Sequence, residues 1–282
     1  MEFSPKKELL RFLAEDLGKG DISSALLPRT KIKARIISRQ SAVLAGVKYA
    51  KEIFVLKRCR VRVLKKDGVK VKPNQTILEI VGTPQAILSC ERTALNLLAR
   101  MSGIATQTNE LVKKIPNLRA KLFATRKTAP GLRFFDKEAV KIGGGEKHRM
   151  TLDQMVMLKD NHLSVGGSLE ELVKKAKRKH KKVEVEVENQ KDAIFATKAG
   201  ATIIMLDNFT PKNISKTITA LKKLGLRNKV KIEASGGITE KNIQSFARTG
   251  VDMISVGQIT NSVRGIDLSL EVLQELFLSV KI

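Results

Sequence analysis

Three basic groups between residues 126 and 159 of this 282-residue sequence each stand beside a signal that ends a strand or a helix. Arg126-Lys127 follow the short apolar run Leu122-Phe123-Ala124 and precede Pro130-Gly131, which breaks regular structure. Lys147-His148-Arg149 follow three consecutive glycines, Gly143 to Gly145, and Lys159 follows the apolar run Met155 to Leu158. Arg offers a planar fork that grips a carboxylate or phosphate at two points, and Lys a mobile point charge. The run Val183-Glu184-Val185-Glu186-Val187-Glu188 places three glutamates on one face of a strand and three valines on the other. If both faces are covered, carboxylates near the strand's end must meet cations, a hydroxyl-rich ligand or a metal. Asp207 closes the next apolar run, so Glu186 and Asp207 can flank one site, a pairing suited to hard Mg2+ or to ribose hydroxyls. Ser235-Gly236-Gly237 and Ser255-Val256-Gly257 expose backbone N–H groups, as a phosphate cradle does, with Thr239 expected to open a helix after the first. Together these groups describe a site for two anions and a ribose.

The elements that must hold them read as alternating strands and helices. Strands are expected at 121–124, 155–158, 183–187, 203–206, 230–233 and 253–256, with amphipathic helices at 169–180, 191–198, 211–224 and 241–249. Such β-α repeats imply parallel strands with crossover helices. Each strand releases its polar group at its C-terminal end, the pattern of the catalytic face of a β/α barrel. Before residue 110 the texture differs. A helix is expected in residues 1–20, and alternating strands at 31–36, 60–63 and 69–72, with Lys66-Asp67-Gly68 as a hairpin turn. A helix from Gln85 to Met101 carries Arg92, Asn96 and Arg100 on one polar face, and Ser102-Gly103 are expected to end it. The resulting division is an N-terminal α+β sandwich domain with linking helix at 1–109, a barrel at 110–265, and a C-terminal helix at 266–282 that packs back on the first domain.

The formal charge of +25 is the strongest bulk signal, and it calls for polyanionic ligands or partners. Nucleic acid fits poorly. Lys and Arg are spread along the chain, aromatics are 4% with no Trp, and no helix-turn-helix or zinc-finger spacing occurs. A lysine-rich thermophilic surface gives the same composition. No apolar run approaches membrane-spanning length, Met1 to Lys7 lack the apolar region of a signal peptide, and the two cysteines, Cys59 and Cys90, lack metal-ligand spacing. A cytoplasmic enzyme is the expectation.

The motifs also carry a resemblance. TRKT-x-PGLR from Thr125, GGG-x-x-HR from Gly143 and LKDNH at 158–162 resemble quinolinate phosphoribosyltransferase, and so do ERTALNLL at 91–98, SGIAT at 102–106, EVEVEN at 184–189, MLDN at 205–208 and EASGG at 233–237. The likeness runs from GKGDIS near the start to DLSLE near the end. It implies an incomplete parallel β/α barrel of about seven strands, and transfer of phosphoribosyl from 5-phosphoribosyl pyrophosphate to quinolinate with release of pyrophosphate and CO2. Carried over, Arg126, His148, Arg149 and Lys159 bind quinolinate, alongside Thr125. Arg92 is given by the second subunit of a homodimer with shared active sites. Lys127, Lys159, Glu186 and Asp207 are the catalytic residues. They bind the phosphoribosyl pyrophosphate, and Glu186 and Asp207 take its Mg2+. The 5-phosphate lies on Ser235, Gly236 and Gly237 and on Ser255, Val256 and Gly257. Asn261, where many members carry His, and Lys147, where Asn or Pro is frequent, depart from the pattern. Two other readings stand beside this one. A molybdenum-transport-associated paralogue would have lost cationic substrate ligands, and a nucleic-acid-binding protein would have no use for Glu186 and Asp207.

Overall fold

Apolar residues repeat every second position in the strands of the first hundred residues and near every 3.6 in its helices. The computed structural model describes residues 3–116 and 118–273. Helix α1 (Pro5–Leu17) buries Leu9 and Leu13, and α2 (Val47–Leu56) buries Ile53 and Phe54. Between and after them come β1 (Ile32–Ser38), β2 (Ala42–Val43), β3 (Arg60–Val63), β4 (Lys70–Val71) and β5 (Thr76–Gly82). An antiparallel sheet places β1 between β5 and the late strand Leu268–Leu273, with β3 beyond β5. Ala34, Ile36, Leu78 and Ile80 form its buried face.

Three expectations fail here, each for a local reason. Residues 268–273 form a strand, where a helix was expected. Leu268, Leu270 and Val272 alternate with Ser269 and Glu271, and Glu271 stands directly opposite Arg35, taking ion pairs from Arg35 at 2.9 Å and Arg39 at 2.8 Å. The rest of the expected helix, 274–282, lies outside the described residues. The turn at Lys66–Gly68 does not make a hairpin of β3 with β4. Asp67 Oδ1 accepts the Val47 N–H at 2.8 Å and Leu44 exchanges backbone bonds with Gly68 and Val69, so β4 pairs with β2 in a separate two-stranded sheet. Helix α3 runs unbroken from Pro84 to Lys113, through Ser102-Gly103. Gly103 is needed there for close approach, since a Cβ would lie 2.0 Å from the Arg264 carbonyl oxygen. Ser102 is held by its Oγ, which accepts the Ala45 N–H at 3.0 Å.

The chain divides into two units, residues up to Thr106 together with those from Val263 onward, and Gln107–Ser262. The second unit is the β/α part: β6 (Lys121–Phe123), α4 (Arg133–Ile142), β7 (Val156–Leu158), α5 (Asp160–Gly166), α6 (Leu169–Lys179), β8 (Val183–Val187), α7 (Gln190–Ala199), β9 (Ile203–Asp207), α8 (Pro211–Lys223), β10 (Lys231–Ser235), α9 (Ile243–Ala247), β11 (Met253–Ser255) and α10 (Gln258–Asn261), after which β12 is Leu268–Leu273 of the first unit. Side-chain oxygens of Ser168, Asn189 and Thr210 accept N–H groups of the first turn and start α6, α7 and α8, each worth about 1 kcal/mol. Six parallel strands lie in the order β6-β11-β10-β9-β8-β7. Where a seventh was expected, a single parallel bridge, Phe123 to Glu146, extends the sheet past β6. The sheet order does not run on from Glu146 to β7, so the barrel is incomplete, as the resemblance implies. Both faces are covered, and Val183, Val185, Val187, Ile204, Leu206, Ile232 and Ile254 are all buried.

Candidate active site

A cavity of about 600 Å³ opens at the C-terminal ends of these strands. Every expected barrel residue lines it: Thr125, Arg126 and Lys127 after β6, His148 and Arg149 after the glycine loop, Lys159 after β7, Glu186 on β8, Asp207 ending β9, Ser235–Gly237 after β10 and Ser255–Gly257 after β11. Arg92 is not among the lining residues. It sits on α3 in the other unit, 71% exposed, with its neighbour Glu91 at 3.7 Å. Lys147 also turns elsewhere, to an ion pair with Glu138.

One wall is acidic at the strand ends. In register, Glu186 stands beside Met205, and Met205 beside Glu233, so these side chains face the same interior side. Glu186 is paired with Lys159, which meets the requirement that a carboxylate at this depth find a cation. Asp207, one layer higher beside Ser235, accepts a hydrogen bond on Oδ2 from Asn208 Nδ2 at 2.6 Å. Lys159 is oriented from behind. His162 Nδ1 accepts its backbone N–H at 3.1 Å, so His162 caps α5 and lies outside the lining.

The facing wall is cationic. Arg149 is nearly buried, and its Nη1 donates to the Met155 carbonyl at 2.9 Å. Burial first, and then the charge of Arg126, press its pKa below the ordinary guanidinium value. The Nε atoms of both Arg126 and Arg149 are buried with no partner among the described residues. Orphaned guanidinium donors of this kind cost about 1–3 kcal/mol each unless an anion takes them. Lys127 lies over Gly257, where a Cβ would come 3.1 Å from its Cδ, and the Lys127 carbonyl accepts the Thr260 hydroxyl at 2.8 Å.

Beneath His148 lies a group whose pairing the sequence does not disclose. His148 Nε2 is 3.2 Å from Glu233 Oε2 and 3.3 Å from Glu184 Oε2, both glutamates fully buried. In the neutral ring its Nδ1 accepts the Arg149 backbone N–H at 2.8 Å and Nε2 carries the proton. Burial opposes charging the imidazole, but the two carboxylates prevail and raise its pKa. Burial and the charge of Glu233 raise that of Glu184. Both ring nitrogens are thus engaged within the protein, and the ring meets Phe123 edge-on at 5.8 Å between centroids. The three donor atoms lie within 4.8 Å of one another, close enough to hold one metal ion. Glu233 also lines the cavity, as do Met157, Met205, Gln258 and Asn261, none of them expected there. EASGG contains Glu233, but only the fold shows where its side chain points.

Glycine geometry completes the floor. Gly236 (φ 87°) and Gly237 (φ 59°) are left-handed, and a Cβ on Gly236 would fall 2.2 Å from Asn208 Oδ1. Ser255 Oγ, at the adjacent strand end, is buried without a partner among the described residues. The helix expected to start at Thr239 becomes regular only at Ile243, although the Thr239 N–H is taken by Asn242 Oδ1 at 2.7 Å and the Thr239 carbonyl accepts the Ile243 N–H at 3.0 Å, as at a helix start. Loop residues, not a regular helix, line the floor here. Two non-glycine residues at the cavity, His148 (φ 54°) and Asn208 (φ 55°), are also left-handed, each costing roughly 1 kcal/mol or more. Strain of this kind collects where surrounding structure fixes a functional loop.

Comparison with known proteins agrees with this geometry along the whole chain. Residues 104–271 match the family described as quinolinate phosphoribosyl transferase, C-terminal domain, and residues 21–102 match its N-terminal domain. A probable nicotinate-nucleotide pyrophosphorylase [carboxylating] of Archaeoglobus fulgidus is 46% identical over 257 residues, 90% of this chain and 99% of that protein. One from Bacillus subtilis is 41% identical over 273 residues, 95% of this chain and 93% of that protein. The solved nicotinate-nucleotide pyrophosphorylase of Francisella tularensis superposes with a TM-score of 0.89 at 39% identity, covering 96% of this chain and 98% of that one. With both domain signatures in order over nearly the whole chain, the chain belongs to the quinolinate phosphoribosyltransferase family.

Proposed function

We propose a division of labour in this cavity for the reaction of the family. The chain is a phosphoribosyltransferase of NAD biosynthesis: quinolinate and 5-phosphoribosyl pyrophosphate give nicotinate mononucleotide, pyrophosphate and CO2. The observation that carries the assignment is the pair of buried guanidinium Nε atoms, on Arg126 and Arg149, with no partner among the described residues. They suit the two adjacent carboxylates of quinolinate, with Thr125, His148 and Lys159 in the same wall. Lys127, Lys159, Glu186 and Asp207 face the ribose and pyrophosphate, and Ser235–Gly237 with Ser255–Gly257 cradle the 5-phosphate.

Asp207 and Glu186 are oxygen donors on neighbouring strands at the cavity wall, the donor type that Mg2+ takes, and they would hold it. The bound ion would neutralise the departing pyrophosphate. The side chains supply the rest by placement and charge. Lys127 steadies the leaving pyrophosphate. Glu186 and Asp207 face positive charge developing on the ribose, while Arg126 and Arg149 hold quinolinate so that its ring nitrogen meets the anomeric carbon. Once that nitrogen is quaternary, its positive charge stabilises the electron pair left on the adjacent ring carbon when the carboxylate departs as CO2, and that carbon then takes a proton from solvent. No covalent nucleophile is required.

The same reading gives Arg92 to the partner's cavity in a two-fold dimer, supported by its exposure and its absence from the lining of its own. A reducing, cytoplasmic setting is supported by the two free, buried cysteines, and no helix among the described residues is long and apolar enough to cross a membrane. The test is release of CO2 from carboxyl-labelled quinolinate, with and without 5-phosphoribosyl pyrophosphate and Mg2+. Release only with all three supports the reading, and none under any condition rejects it.

A further inference from the structure

Helix α4 carries a lysine outside the cavity lining that has no ordinary reason to be buried. Lys137 is 0% exposed, on a helix that also buries Phe135, Ala139 and Val140. No carboxylate pairs with it among the described residues. Its Nζ instead donates to two backbone carbonyls, Lys147 at 2.6 Å and Arg149 at 2.5 Å. Those carbonyls bracket His148, so one ammonium fastens the chain on both sides of a residue held at φ 54°.

We infer that Lys137 is a positioning residue for the quinolinate-binding wall: it fixes the backbone of residues 147–149 so that Arg149 meets the substrate carboxylates in the required place. The inference rests on the assignment of quinolinate to Arg126 and Arg149. Three features separate this role from simple core packing. First, the side chain's polar contacts all go to the one segment that presents Arg149. Second, the backbone of residues 147–149 makes no backbone–backbone hydrogen bond among the described residues. The chain leaves the sheet at Glu146, which exchanges backbone bonds with Leu122 and Ala124, and the remaining ties are made by side chains: Lys147 to Glu138, His148 to Glu184 and Glu233, and Arg149 Nη1 to Met155 O. Third, the location is poor for an ammonium. Burial, and then the neighbouring charges of Arg133, Arg126 and Arg149, lower its pKa to about 8. A methionine would fill the same space without that penalty, so what the ammonium supplies is its pair of hydrogen bonds.

The test uses the intact enzyme with Lys137→Met, which removes both donors at similar volume, and Lys137→Gln, which keeps one amide donor group on a shorter stem. Quinolinate and 5-phosphoribosyl pyrophosphate binding are each measured by calorimetry, and both KM values by steady-state assay. In Lys137→Met, quinolinate Kd and KM should rise at least tenfold, more than kcat falls. The values for 5-phosphoribosyl pyrophosphate should stay within about twofold, and the melting temperature should not drop. Lys137→Gln should fall between this variant and the wild type. Unchanged quinolinate binding, equal losses for both ligands, or failure of both variants to fold would each overturn the positioning role. If the unmodified enzyme itself does not bind quinolinate, the fault lies instead with the substrate assignment.

Discussion

An Arg126→Met substitution keeps much of the side-chain volume and removes a guanidinium whose Nε is buried without a partner. Two effects on stability then act in the same direction. The desolvation cost of the orphaned donor disappears, about 1–3 kcal/mol on its own. Two other cations are also relieved, since the charge of Arg126 contributes to lowering the pKa of Arg149 and, behind burial and Arg133, that of Lys137. Discounting for the exposed part of the side chain, the variant should gain roughly 1 kcal/mol in unfolding free energy, a rise in melting temperature of about 2–4 °C for a chain of this size. Quinolinate binding should move the other way. Loss of a charge-assisted contact costs about 1.5–3 kcal/mol, a roughly 10- to 150-fold weaker Kd, with 5-phosphoribosyl pyrophosphate little affected. Urea denaturation measures the first quantity and calorimetry the second. A variant that is less stable by 1 kcal/mol or more but binds quinolinate normally would show that Arg126 serves the fold, and the anion-site argument would fail.

Asp207→Asn and Glu186→Gln should each lower turnover at least tenfold and shift the Mg2+ dependence to higher concentration; a double variant with near-normal turnover would remove the carboxylates from the mechanism. Gly236→Ala places a Cβ 2.2 Å from Asn208 Oδ1 at a left-handed φ of 87°, so KM for 5-phosphoribosyl pyrophosphate should rise with little change for quinolinate, as steady-state kinetics would reveal. Arg92→Ala and Lys127→Ala should be nearly inactive alone. Unfolded together and reassembled at random, about half the dimers are hybrids with one intact site, restoring roughly a quarter of normal activity. No recovery, with hybrids verified by native mass spectrometry, would return Arg92 to its own subunit or to none.

What could be read from the chain beforehand was whatever local sequence determines. The six parallel strands and their helices follow from runs of Val, Ile and Leu punctuated by caps, and the strand ends pointed to a common face before any coordinates did. Alternation on a strand covered on both faces called for a cation, a hydroxyl-rich ligand or a metal at Glu186, and Lys159 is the partner found. What escaped notice depended on partners distant in sequence. Glu184, Glu233 and His148 come from three separate segments, and only the fold brings them together. Lys137 is one of 53 basic residues, and nothing in its neighbours distinguishes it from a solvated one. Gly103 imitates a helix stop because the sequence cannot show that the Arg264 carbonyl needs its space. The alternation in Leu268–Leu273 was legible, but it was read as a helix at the chain's end.

That last strand also sets an order for building the molecule on a ribosome. Arg35, in β1, is synthesised 236 residues before Glu271, its partner in β12. At roughly 5–20 residues per second the interval is about 10–50 s. Throughout it, one edge of β1 has no strand to receive its N–H and C=O groups, an open template for another chain. The β/α unit is contiguous from Gln107 to Ser262 and is complete before β12 emerges. The earliest sheet to be translated is therefore the last to be finished, and a chain interrupted between Ser262 and Leu268 has its β/α unit complete while that edge of β1 is still unsealed.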